Sequence, residues 1–71
     1  MNENLMREIV ENIVEQADEL LAKGKGKLNM VEKGQLLAYA ETLSIIQDAL
    51  SGYDLARVGL DFDVDTKYLI H

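Results

Sequence analysis

The sequence predicts an all-α fold: an antiparallel two-helix hairpin with a short third helical turn and an extended C-terminal tail, dimerising into a helical bundle. Three observations lead there. Two stretches repeat apolar residues at helical spacing, a glycine-punctuated lysine turn separates them, and no proline interrupts either one. The 71 residues allow one domain, taken as 1–71. A chain this short buries only about 60% of the surface its unfolded form exposes, so its stability margin is thin.

Helix 1 is expected over about residues 4–23. Leu5, Met6, Ile9, Val10, Ile13, Val14, Ala17, Leu20 and Leu21 fill one arc of roughly 180° at about 100° per residue, and Glu8, Glu11, Asn12, Glu15, Asp18 and Glu19 fill the other. Asn2 or Asn4 can supply the N-cap, Gly24 the exit, and Lys23 sits where the last turn favours a cation. Residues 24–29 form the turn. Asn29 followed by Glu32 has the spacing of a capping box, so helix 2 is placed at about 30–51. Its apolar arc takes in Val31, Leu36, Ala38, Tyr39, Ala40, Leu43, Ile45, Ile46, Ala49 and Leu50, with Leu37 outside it, and Ser51-Gly52 should end it. Ile9, Ile13, Leu20, Leu43 and Ile46 are expected among the most buried side chains.

The tail, residues 52–71, reads differently. Tyr53 to Val58 can make one or two helical turns between Gly52 and Gly59. From Leu60 the period becomes two: Leu60, Phe62, Val64, Thr66, Tyr68 and Ile70 alternate with Asp61, Asp63, Asp65 and Lys67. That predicts a half-buried extended segment over 60–65, with Leu60, Phe62 and Val64 inward and the aspartates in water. Asp65 could instead cap a final turn through Leu69. An extended segment carries unpaired amides, so the tail is expected to lie hydrated across the helices, to pair with the same tail of a second subunit, or to meet a partner's edge strand.

Two arcs this wide exceed what one mutual seam covers, and with no cysteine the chain has no disulfide route to stability. A homodimer is the expected answer. The net charge of -6 is uneven: residues 1–22 hold six acids and one arginine, residues 23–33 four lysines and one glutamate. Most of the surface should repel nucleic acid. Absence of cysteine suits a reducing cytosol, nothing resembles a signal peptide, and no apolar run of about twenty residues occurs, so a cytoplasmic, non-membrane protein is expected.

Little in the chain suggests catalysis. The sole histidine, His71, is the last residue and a poor base, there is no thiol, and no cofactor is expected. Asp61-Phe62-Asp63-Val64-Asp65 opens like a calcium loop, but the sixth position is Thr66 where that loop needs glycine, and the closing glutamate is missing. The same aspartates resemble the motif of haloacid-dehalogenase-type phosphatases, which implies a large parallel sheet that 71 residues do not hold. The leading expectation is a solvated face; contact of Asp61, Phe62, Asp63 and Asp65 with a basic partner comes second, and cation binding by Asp61, Asp63 and Asp65 is a further alternative. Lys23-Gly24-Lys25-Gly26-Lys27 lacks the spacing and the Ser/Thr of a phosphate loop. A solvated turn is the first reading; Lys25 and Lys27 contacting an acidic protein surface is the second, and nucleic acid, with no aromatic interleaving, the last.

Ser44 and Asp48 stand four apart on helix 2 and share a face. With Leu43 to Leu50 and Tyr53 they resemble the second helix of the aspartyl-phosphate phosphatases of sporulating bacteria, short two-helix hairpins that act on phosphorylated response regulators. The resemblance implies that Asp48 would be the acidic residue implicated in dephosphorylation, paired with Ser44. The family's glutamine after the serine is Ile45 here. The functional expectations are therefore a non-enzymatic interaction or regulatory protein with an unidentified protein partner, then a phosphoaspartate phosphatase-like modulator acting through Ser44 and Asp48, then a weak nucleic-acid accessory using the lysine turn.

Overall fold

Among the described residues, three α-helices, α1 (Glu3–Ala22), α2 (Met30–Ala49) and α3 (Val64–Tyr68), alternate with 3₁₀ turns at Lys25–Lys27 and Leu55–Val58. The computed structural model describes residues 2–69, Lys25 through its backbone alone. The expected positions of Ile70 and His71 lie outside the described residues.

Local chemistry accounts for each boundary. Asn2 is the cap of α1: its side chain accepts from the Leu5 amide at 3.0 Å. Gly24 leaves the helix at φ 88°, a left-handed conformation that costs glycine nothing. The capping box of α2 is complete. Asn29 accepts from the Glu32 amide at 2.8 Å, and Glu32 accepts from the Asn29 amide at 3.1 Å. α2 ends at Ala49, two residues before the expected boundary, with Gly52 at φ 88° beyond it. The 3₁₀ turn Leu55–Val58 closes as a Schellman motif. Gly59, at φ 80°, donates to Ala56 O, and Leu60 donates to Leu55 O at 2.9 Å.

Packing is shared by all three parts of the chain. Val10, Ala17 and Leu20 of α1 meet Leu36, Ala40 and Leu43 of α2, with Leu28 from the turn. Ala17 and Ala40 are wholly inaccessible, so small side chains lie where the elements approach most closely. The tail completes this core with Val58, Leu60, Val64 and Tyr68, each no more than 2% exposed.

The extended segment expected over 60–65 is corrected in part. There is no strand among the described residues: irregular chain runs from Leu60 to Asp63, and α3 begins at Val64. Leu60 and Val64 do point inward, Phe62 is half-buried, and Asp61, Asp63 and Asp65 are exposed. The alternation is real but belongs to two structures in succession. Leu60 and Phe62 come from an extended approach, whereas Val64 and Tyr68 share a helix face at a spacing of four. The cap of α3 is Asp63 rather than Asp65, with its carboxylate accepting from the Thr66 amide at 3.1 Å. The described tail thus holds no strand, and Leu60 O and Phe62 O find their donor within the chain.

Burial departs from expectation at Ile9, which is 43% exposed, and Ile45, on the expected apolar arc of α2, is 67% exposed. Leu20 and Leu43 are buried, and Ile13 and Ile46 half-buried. α2 and the tail cover the arc of α1 centred on Val10 and Ala17; an arc of roughly 180° extends past them. No helix of the described residues is long and apolar enough to cross a membrane.

Candidate functional site

The sequence candidates separate into the two ends of the molecule. Asp48 from α2 and Asp61, Phe62 and Asp63 from the tail line one cleft of about 710 Å³, together with Gln47, Leu50 and Tyr53. Lys27 lies at the other end, on the 3₁₀ turn. Lys25, placed there by its backbone, has a side chain outside the described set.

The cleft is held by Gln47. Its side-chain amide donates to Leu60 O at 3.0 Å and to Phe62 O at 2.8 Å. Both hydrogens of one NH₂ group are thereby used, and two carbonyls of the irregular segment are satisfied without a neighbouring strand. Beyond the cleft, Phe62 meets Tyr68 edge to face, ring centroids 6.2 Å apart. Lys67 Nζ lies 4.8 Å from the Phe62 centroid and 5.0 Å from that of Tyr68, within the range of a cation–π contact. The same Nζ pairs with Asp18 at 3.2 Å. Tyr68 donates its hydroxyl to Asp18 at 2.9 Å. Burial first, then the hydrogen bond and charge of Asp18, push the Tyr68 phenol well above its ordinary value. It is a neutral donor, not an acid poised for chemistry.

The carboxylates of the cleft have other tasks or none. Asp63 caps α3; Asp48 and Asp61 are exposed at the rim. Among the described residues no group of three or more acidic, histidine or cysteine side chains gathers closely enough to hold a metal ion. Asp61, Asp63 and Asp65 thus do not converge, because Asp63 turns to its own helix amides while its neighbours face water. Ser44 is half-buried one turn before Asp48 and is not among the residues lining the cleft.

At the lysine turn, Lys23 forms an ion pair with Glu32, the capping residue of α2. That bond, followed by the Asn29 amide, holds the Glu32 carboxyl below its ordinary value. One lysine of the turn is thereby committed to the fold, while Lys27 and Lys33 remain exposed. Sequence reading missed Gln47, Asp18, Tyr68 and Lys67 as a set. One signal was present: Gln47 falls on the same helix face as Leu36, Ala40 and Leu43, and a polar residue on a buried face needs a partner.

These clefts are shallow and open, built by capping, packing and hydrogen bonds to the backbone. Compared with protein-family models, with curated proteins and with solved structures, the chain matches none.

Proposed function

We propose that this chain is a non-enzymatic docking module that pairs with a second copy of itself through the face of α1 and α2 opposite the tail. The observation that carries the reading is the exposure of Leu5, Ile9 and Ile45, at 54%, 43% and 67%. The Glu3–Tyr53 hydrogen bond at 3.0 Å ties the start of α1 to the segment just after α2, and Lys23 and Glu32 tie the opposite ends. Read as an antiparallel hairpin, this sets Leu5 and Ile9 level with Ala49 and Ile45.

Helical periodicity fills out the strip: Leu5, Ile9, Asn12, Ile13 and Gln16 from α1, and Gln35, Ala38, Thr42, Ile45 and Ala49 from α2. None is ionisable. The Thr42 hydroxyl donates to Ala38 O at 2.8 Å, which satisfies it within the helix. For a chain of net charge -6, self-pairing favours a seam whose own side chains are uncharged, as those named for this strip are. Closed twofold pairing of two hairpins makes a four-helix bundle. The lack of cysteine suits such an assembly to a reducing compartment such as the cytoplasm.

Analytical ultracentrifugation at tens of micromolar tests the proposal. The expected species has twice the 8.0 kDa chain mass, and Ile45→Glu converts it to the single chain with its helical circular dichroism retained. A wild-type monomer throughout that range would overturn the reading.

A further inference from the structure

A second surface, on the other flank of α1, has the opposite character. Glu11, Glu15 and Glu19 are exposed at intervals of four residues. They line a groove of about 500 Å³ together with Val14, Ala22, Gly59, the buried Val10, and Asp18, which Lys67 and Tyr68 hold. Gly59 contributes open backbone, since a side chain there would meet nothing within 4 Å. The described ion pairs are Lys23–Glu32, Arg57–Glu3 and Lys67–Asp18, and none of them engages these three glutamates.

We propose that this groove receives a basic amphipathic helix from a partner protein. Its apolar residues would lie on Val14 and Ala22, and its lysine or arginine side chains opposite Glu11, Glu15 and Glu19. A helix rises about 1.5 Å per residue, so the three carboxylates recur every ~6 Å along α1. Cations at every fourth residue of a helix laid alongside recur at the same interval. An apolar patch bordered by charge, here Val14, Ala22 and Gly59 beside the glutamates, is the kind of surface that a helix-in-groove partner reads. A bare cation does not fit, because no three acids converge among the described residues. A second copy of this chain does not fit either, because it would bring the same carboxylates face to face. Leu5, Ile9 and Ile45 are not among the residues lining this groove, so this inference stands apart from self-pairing.

The test uses the intact chain and a synthetic helical peptide with lysines every fourth residue beside a leucine stripe. A scrambled peptide of the same composition serves as control, and binding is followed by calorimetry at two salt concentrations. The expected result is saturable binding of one peptide per chain, weakened by salt and at least about tenfold weaker for the scrambled peptide. E11Q/E15Q/E19Q lowers affinity by about tenfold, since each exposed pair contributes a few-fold and three are removed. These substitutions relieve like-charge pairs, so the variant keeps its helix content. Ile45→Glu leaves peptide binding intact even where it abolishes self-pairing. Equal binding of both peptides, an unaffected triple variant, or loss of binding with Ile45→Glu instead would each overturn the assignment.

Discussion

Tyr68 in α3 and Asp18 in α1 are fifty residues apart in the chain, and the phenol of one donates to the carboxylate of the other at 2.9 Å. Tyr68 is 1% exposed, so this bond ties the last helix to the first at the edge of the core. Lys67 reaches the same carboxylate at 3.2 Å. The contact explains why a five-residue helix, far too short to be stable alone, persists here: its order is tertiary.

Tyr68→Phe keeps the ring and removes the donor. The expected loss is about 0.5–1.5 kcal/mol, which for a domain of this size lowers Tm by several degrees. Thermal melts followed by circular dichroism check it. The pH dependence has a definite sign. The folded protein holds this phenol protonated above its unfolded pKa, so the associated stability is complete below about pH 10. It is lost as pH rises beyond that value. The alkaline decline should be shallower in Tyr68→Phe.

Gln47→Leu tests the fastening of the tail. Two part-buried carbonyls, Leu60 O and Phe62 O, lose their donor, at an expected cost of about 1–3 kcal/mol. Amide hydrogen exchange should accelerate over residues 60–69, while amides in the middle of α1 keep most of their protection. Uniform acceleration in both regions would show that the tail does not open separately.

The N-terminus of α2 rests on a pair of reciprocal bonds. Asn29→Ala is expected to cost about 0.5–2 kcal/mol, read from urea unfolding at neutral pH. Glu32 is held below its ordinary pKa by Lys23 and the Asn29 amide. A carboxyl lowered in the folded state contributes stability above its unfolded pKa, about 4.3, and loses it as pH falls through the lower folded value. Glu32→Gln should therefore flatten the acid limb of the stability profile.

Core position and helix position are separable. Leu43 is wholly buried and Met30 is 88% exposed, both in α2. Leu43→Ala is expected to cost about 2–5 kcal/mol, a large part of the stability of a small domain. Met30→Ala should stay within about 0.5 kcal/mol. Chemical denaturation of the two variants under one set of conditions makes the comparison.

The two long helices were legible because their causes are local. Apolar spacing, the Asn29–Glu32 box, Asn2, and the glycines at 24 and 52 each act within a few residues, and the structure places the boundaries within two residues of the expected ones. The inward set Leu60, Phe62 and Val64 was legible too, since side-chain polarity alone sorts it from the aspartates. What the sequence could not decide was the conformation that delivers that set. Alternation over five residues fits a strand, and it fits an extended approach running into a helix equally well. The choice fell to Gln47, thirteen residues from Leu60, which supplies the hydrogen bonds a strand would have sought from a neighbour, and to Asp63, which caps α3. Likewise, periodicity showed that Ile9 and Ile45 lie on apolar arcs, but only the placement of the tail determined which side of the helix pair is covered. Local chemistry is written within the reach of one turn. The pairing of Tyr68 with Asp18, the latching by Gln47 and the bare strip from Leu5 to Ile45 depend on where distant segments come to rest, and packing alone decides that.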